Sequence, residues 1–248
     1  MRAAILLGFF ACFSLGFAQT VTQVTTPDGK IHTRIEGIDI PNVPSAPFTA
    51  KVSVTWDEPL VGGGAVSRRY YTMVARDSQG RVRREMRGFV PADSADEPPL
   101  HSFTVRDPVA GTRTVCHPDT MKCTVTEFHA RAASTEVASG PLPDGSGTVS
   151  TESLGQRTQE SLTVVGTRET TTTIAGTHGN DRQLVSSKER WYSPDLQICL
   201  SVIRNDPQFG TQTLTVTALE RGEPDPSWFA VPEGYKVMDL RGNNSPSN

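Results

Sequence analysis

From Phe48 to Asp57 apolar and polar residues alternate without a break. Phe48, Ala50, Val52, Val54 and Trp56 fall on one side, and Thr49, Lys51, Ser53, Thr55 and Asp57 on the other. A period of two is the repeat of a half-buried β-strand, whose successive side chains point to opposite faces of a sheet. Gly62-Gly63-Gly64 then interrupts the chain, and a second β-rich run follows from Val66 to Arg76, with Tyr70, Tyr71, Thr72 and Val74. Asp77-Ser78-Gln79-Gly80 has the composition of a tight turn, with glycine where a positive φ is wanted. Arg81 to Phe89 returns as its partner strand.

The same punctuation recurs along the chain. Thr26-Pro27-Asp28-Gly29 separates Val21–Thr25 from Ile31–Ile38 as an early hairpin. Further strands are expected at Phe103–Arg106, Thr112–Cys116 and Cys123–Phe128, then at Leu162–Arg168, Thr170–Ile174, Lys188–Tyr192, Leu196–Arg204 and Gln212–Leu219. Leu196, Ile198, Leu200 and Val202 make one apolar face, which puts Cys199 on the wet side; Leu214, Val216 and Ala218 make another. No segment sustains a 3.6-residue repeat. The best helical candidate is one turn at Pro226–Phe229, with Asp225 as N-cap and Pro226 in first position. A short final strand is expected after Tyr235. Ala92–Pro99 is acidic and proline-rich, a loop between strands. Residues 130–148 carry almost no large apolar side chain and are expected as a long flexible loop within one sheet. The organisation expected is a mainly β protein: one antiparallel domain over 19–240 with at most short helices, and a disordered tail at 241–248.

The chain begins with one charged residue, Arg2, and an apolar stretch from Ala3 to Ala18, too short to span a bilayer comfortably. It ends in Gly16-Phe17-Ala18, the small residues that a signal peptidase requires at its −3 and −1 positions, so residues 1–18 read as a cleaved signal peptide. Cys12 follows Phe9, Phe10 and Ala11, and two bulky aromatics there fit a lipoprotein peptidase poorly. The expected location is the periplasm or the exterior, and no later stretch is long and apolar enough for a transmembrane helix. Without Arg2, 23 of the 24 basic side chains face 27 acidic ones, a net charge near −4. That balance argues against a nucleic-acid partner, which selects a strongly basic face.

Loss of Cys12 with the leader leaves Cys116, Cys123 and Cys199. Cys116 and Cys123 bracket His117-Pro118-Asp119-Thr120-Met121-Lys122. With a loop from Pro118 to Met121 they face each other across a hairpin at bridging distance. In an oxidising compartment they are expected as a disulfide, with Cys199 left over. Zinc is the competing reading because His117 adjoins Cys116, but the tight cysteine pair and second ligand pair of a four-coordinate site are missing.

Arg68, Arg69, Arg76, Arg81, Arg83, Arg84 and Arg87 concentrate on one hairpin, with Arg81, Arg83 and Arg87 sharing the wet face of its returning strand. They read either as an anion-binding patch or as a solvated face balanced by Asp57, Asp77 and Glu85 that discourages edge pairing. His32, His101, His117, His129 and His178 are not paired at metal-like spacing, and no G-x-S-x-G elbow occurs. Gly62–Gly64 and Gly145–Gly147 follow neither the dinucleotide nor the P-loop pattern. No catalytic, metal or cofactor residue is assigned.

Glu189-Arg190-Trp191-Tyr192-Ser193-Pro194-Asp195-Leu196-Gln197-Ile198 is followed by Arg204-Asn205-Asp206-Pro207 and then by Gly222-Glu223-Pro224-Asp225-Pro226-Ser227-Trp228-Phe229-Ala230-Val231-Pro232-Glu233-Gly234-Tyr235. This closing segment, with the Arg68–Glu85 hairpin, resembles a group of uncharacterised bacterial exported β proteins. It is more distantly similar to the lipoprotein-carrier-like group, in which a tryptophan strand, a hairpin, a return strand and a final F-x-V-P-x-G-Y end a curved sheet. The resemblance implies a single strongly curved antiparallel sheet, a half-barrel or open barrel, whose concave face can hold an acyl chain or another apolar group. It carries over no catalytic residue, and it does not extend to the long amphipathic helices that plug the concave face of true carriers.

Three functions remain open at this point: an envelope protein that binds an apolar or amphiphilic ligand such as a lipid on that face, a structural or interaction module for another envelope protein, and an undetected hydrolase. Export itself is tested by the N-terminal mass of the protein recovered from the envelope fraction. It should begin at Gln19, and a cytoplasmic protein still beginning at Met1 would overturn the reading.

Overall fold

The computed structural model describes residues 22–25, 31–35, 37–129, 139–177 and 179–242. The expected signal sequence, residues 130–138 of the expected loop and the tail from 243 lie outside the described residues. The strands are β1 (Thr22–Thr25), β2 (Ile31–Ile35), β3 (Phe48–Pro59), β4 (Ala65–Arg76), β5 (Val82–Arg87), β6 (Val90–Pro91), β7 (Leu100–Asp107), β8 (Thr112–His117) and β9 (Lys122–Glu127). They continue with β10 (Gly140–Pro141), β11 (Gly147–Gln159), β12 (Leu162–Thr173), β13 (Leu184–Ser193), β14 (Ile198–Asp206), β15 (Gly210–Arg221) and β16 (Lys236–Asp239). One turn of 3-10 helix, Pro226–Phe229, is the single helical element among the described residues.

β1 and β2 pair with each other, as the early hairpin predicts. All other strands form one 14-stranded open sheet in the order β10-β11-β12-β13-β14-β15-β3-β4-β5-β7-β8-β9-β16, with β6 paired to β4. Every pairing is antiparallel except β16 on β9. The sheet is not closed and curves as a half-barrel. Two expectations are corrected. Leu162–Arg168 and Thr170–Ile174 are one strand, β12, and the part of the expected loop from Gly140 onward is a hairpin, β10 turning into the 13-residue β11. β11 escapes the alternation test because it is polar on both faces: only Gly147, Val149 and, partly, Leu154 and Gln159 are shielded from solvent.

Directly opposed residues share a face, so the register defines the inner, concave side. Tyr70, Val54, Leu214 and Val202 form one row across β4, β3, β15 and β14, and Thr72, Val52 and Val216 form the next. The core cluster contains these apolar residues together with Phe48, Ala50, Val74 and Val82, Ile38 and Ile40 of the entering segment, Leu196, and Leu162, Val164 and Trp191. Cys199 belongs to this core rather than to the wet face. The reason is a bulge: Trp191 pairs with Ser201 but Tyr192 with Cys199, so Leu200 is an extra residue and the alternation of β14 is broken there.

The segment from Gly37 to Pro47 lies on the inner face and is tied by buried polar bonds. Arg76, fully buried, donates from Nε and Nη2 to the carbonyl of Ala46 (3.0 and 2.9 Å), from Nη1 to that of Pro41 (3.1 Å) and from Nη2 to that of Leu196 (2.7 Å). Its guanidinium also lies over the Phe48 ring at 5.1 Å. Burial pulls its pKa down to about 10, which still leaves it charged at neutral pH. Arg106 donates to the carbonyl of Ile40 (2.7 Å), and Asn42 to that of Gly80 (2.8 Å). Gly80 has φ +80° in the expected turn, and a Cβ there would sit 3.2 Å from the backbone of Asn42 and Val43, so both conformation and space select glycine.

The opposite, outer face of the same strands holds a second core of Ala75, Phe103, Val105, the Cys116–Cys123 disulfide and Phe229. The closing segment lies over it. Gly222 donates to Pro47, and the Glu223 carboxylate accepts from the Ser78 amide. Asp225 caps the helical turn through the Ser227 amide (2.8 Å), and Pro226 starts it, as the sequence predicts. Trp228, Phe229 and Tyr235 pack onto the outer core before β16 adds to the edge of β9. Phe229→Ala removes the buried ring from this strap at a cost of about 3–5 kcal/mol, so the melting temperature should fall by roughly 10 °C in a chain of this size. An unchanged melting temperature by calorimetry would show that the strap does not support the sheet.

Candidate functional site

On the inner face Val52 and Val54 of β3, Tyr70, Thr72 and Val74 of β4, Leu214 of β15, Arg84 of β5 and Ile38 line a narrow cleft, and all of them but Arg84 are buried. No enclosed space within it admits a water molecule. The wall is apolar because Val52 and Val54 of β3 and Tyr70 and Val74 of β4 point the same way. At one end Phe89 stands edge-on to Tyr70 (4.8 Å between ring centroids) and tilted against Trp56 (5.8 Å). The Trp56 indole N–H donates to the carbonyl of Phe209 (2.6 Å), which fixes the ring while leaving its body apolar.

Polar groups border this wall. The register places Lys188, Arg204, Gln212, Trp56 and Arg68 in one cross-strand row beside the apolar row through Val54. Arg68 contacts Glu58 at 2.7 Å and Arg204 contacts Asp206 at 3.2 Å. At the other end Asp39 faces Arg106 and Arg84; burial raises its pKa, and the two guanidinium groups with an amide hydrogen bond from Ile40 oppose that rise. Burial also pushes the Tyr70 phenol upward, against the nearby charge of Arg84. The Thr72 hydroxyl is committed to the carbonyl of Glu85 (2.7 Å). Among the described residues no group of three or more His, Cys, Asp or Glu could hold a metal ion.

Of the arginines singled out in the sequence, Arg81, Arg83 and Arg87 lie on the outer face, away from this cleft, whereas Arg68, Arg76 and Arg84 are on the inner face. The face of the first three is not wet. Arg81 lies over the Phe229 ring (4.8 Å), Arg83 over Phe103 (4.5 Å) and Trp228 (4.9 Å), and Arg87 over Tyr71 (4.5 Å). Arg81 contacts Asp77 at 2.5 Å; Arg83 and Arg87 contact Glu85 at 3.6 and 2.9 Å, and Arg87 also reaches Glu97 at 3.3 Å. Asp57, expected to balance them, instead accepts from Ser67. The guanidinium planes serve as a floor for the aromatic strap, with carboxylates already beside them. The hairpin pair Cys116 and Cys123 are opposed in register and bridged.

No family model matches the chain, and no curated protein matches it. Solved structures resemble it at low identity. An uncharacterized conserved protein from Thermus thermophilus is 11% identical over 79% of this chain and 91% of that one, with a TM-score of 0.42. The Pseudomonas aeruginosa MucA/MucB complex gives 13% over 78% of this chain and 58% of that one, at 0.38. A LolA superfamily protein from Nitrosomonas europaea gives 10% over 75% and 91%, at 0.30. They include an uncharacterized conserved protein and a LolA superfamily protein, but their similarity is too low to carry an argument about function.

Among the described residues Cys199 is the free thiol, and burial pushes its pKa up to about 11. At pH 8 its thiolate fraction is then on the order of 10⁻³. Iodoacetamide at pH 8 should therefore leave Cys199 unmodified in the native protein and label it fully in urea, read by intact mass. Native labelling at the unfolded rate would return this residue to the wet face.

Proposed function

We propose that the protein is a non-catalytic, exported envelope component that binds an apolar or amphiphilic ligand, such as a lipid, on the concave face of its sheet. The observation that carries this reading is the one-sided inner wall through Val52, Val54, Tyr70 and Leu214, with the aromatic group of Trp56 and Phe89 at one end. The polar row through Gln212 and Arg204 supplies a place for a head group beside that wall. Ile38 covers part of the cleft and precedes the hydrogen bonds that hold Ile40 and Pro41, so it is the piece a ligand would displace. The non-catalytic reading rests on the chemistry of the wall: of its two hydroxyls, that of Thr72 already donates to a carbonyl, and the Tyr70 phenol is held protonated well past neutral pH.

A second reading, a structural or protein-interaction module without a small ligand, is favoured by the cleft having no enclosed space of water size. Native mass spectrometry on protein recovered from the envelope fraction separates the two. Ligand binding predicts a population heavier than the polypeptide that delipidation removes, and uptake of a fluorescent acyl probe that Phe89→Ala weakens severalfold. A bare polypeptide mass together with no probe uptake would replace the first reading by the second.

A further inference from the structure

The β3–β4 hairpin runs past its neighbours. β3 pairs with β15 only as far as Asp57, but with β4 as far as Pro59 opposite Ala65. Two further residues at about 3.3 Å each extend the β3–β4 ladder by roughly 7 Å beyond its pairing with β15 before the turn itself. The turn is closed by Leu60 N–H to Gly64 C=O and Gly63 N–H to Leu60 C=O, both 3.1 Å. Gly62, Gly63 and Gly64 all have positive φ, and nothing lies within 4 Å of where their Cβ atoms would be. From Pro59 to Val66 there is no charged side chain. Val61 is fully exposed, and Leu60 is 50% exposed.

Along the same end of the sheet, other turns repeat this chemistry. Thr173 pairs with Leu184, so the β12–β13 turn lies at the end that carries the β14–β15 turn and the β3–β4 tip. Ile174 and Val185 flank it, 55% and 51% exposed. Between them and Leu60 sits the Phe209 turn, bound by the Trp56 indole. Exposed apolar side chains are thus presented at two turns of one rim, on either side of the half-buried Phe209.

We propose that this rim, led by Leu60 and Val61, docks on the surface of a phospholipid bilayer. A protein partner selects a contiguous apolar patch of several hundred Å² with a shape to match. Here the apolar groups are separate points, and the foremost is a glycine finger with empty space around it, which suits a fluid surface without fixed shape. The charges flanking the finger balance, Asp57 and Glu58 against Arg68 and Arg69. Attraction to the bilayer is therefore apolar rather than electrostatic. Trp56, at the base of the finger, has the apolar body and polar handle that favour the boundary between lipid and water. The aromatic end of the inner cleft lies at this same end of the sheet, so docking would turn it toward the membrane. The proposal does not depend on a ligand in the cleft, and its test uses none.

Co-sedimentation of protein from the envelope fraction with vesicles of pure phosphatidylcholine, and of phosphatidylcholine with phosphatidylglycerol, in 0.1 and 0.5 M salt tests it. The expected result is partition into both vesicles with little effect of salt. In Leu60→Ser/Val61→Asp the partition should fall at least fivefold at an unchanged melting temperature, and in Val61→Trp the tryptophan emission should shift to the blue on adding vesicles. No partition, partition into the anionic vesicles alone that 0.5 M salt abolishes, or undiminished partition of the double variant would each overturn the proposal.

Discussion

The guanidinium of Arg76 is the point on which the architecture converges. It reaches carbonyls of the entering segment at Pro41 and Ala46 and of the β13–β14 turn at Leu196, and the side chain is fully buried. A charge withdrawn from water with no carboxylate beside it is costly unless its donors are met. Here four donor contacts meet it, and truncating the side chain would take this donor from the carbonyls of Ala46 and Leu196 while Pro41 keeps the Val43 amide, a loss of about 3–5 kcal/mol. The Asp77–Gly80 turn that follows is held from both sides: Ser45 donates to the Ser78 carbonyl, and Glu223 accepts from the Ser78 amide. The entering and closing segments therefore cross the sheet at the same hairpin, one on each face.

That crossing answers a problem common to sheets of this size. A sheet must bury its apolar faces against another layer, and among the described residues there is no helix long enough to form one. The chain uses its own irregular segments instead. Residues 37–46 cover the inner face of β4, β5 and β7, and residues 222–235 cover the outer face. The arginines of β5 are part of the second cover. Their stems and planar heads make a surface on which Trp228 and Phe229 stack, while Asp77 and Glu85 keep the charge satisfied.

Much of the sheet was legible because its inner face obeys a simple alternation. Phe48–Asp57 reads as a strand by inspection, the Asp77–Gly80 turn by its glycine, and the helical turn by Asp225 and Pro226. The Cys116–Cys123 bridge followed from loop length together with the oxidising compartment that the leader implies. What escaped has physical causes. β11 has polar residues on both faces because it lies near a sheet edge and packs on almost nothing. Cys199 was misplaced because one extra residue, Leu200, reverses the alternation, and a bulge leaves no mark in composition. Arg83 and Arg87 looked solvated because the aromatics that cover the β5 arginines include Trp228, about 145 positions after Arg83. The cleft was legible only as a row of apolar residues. Its border of Gln212, Arg204 and Lys188 depends on cross-strand register, which no single strand reveals.

The pairing of β3 with β15 has a consequence for how the chain reaches this state. Val54 is paired in register with Leu214, 160 positions further along. A chain that emerges from its N-terminus leaves one edge of β3 open through the emergence of eleven intervening strands. During that interval the Val52–Val54 stretch is a template for any other extended segment. The centre of the sheet is thus among the last pairings that the chain's own order of appearance allows, and a holding partner would be needed most before the native edge is complete.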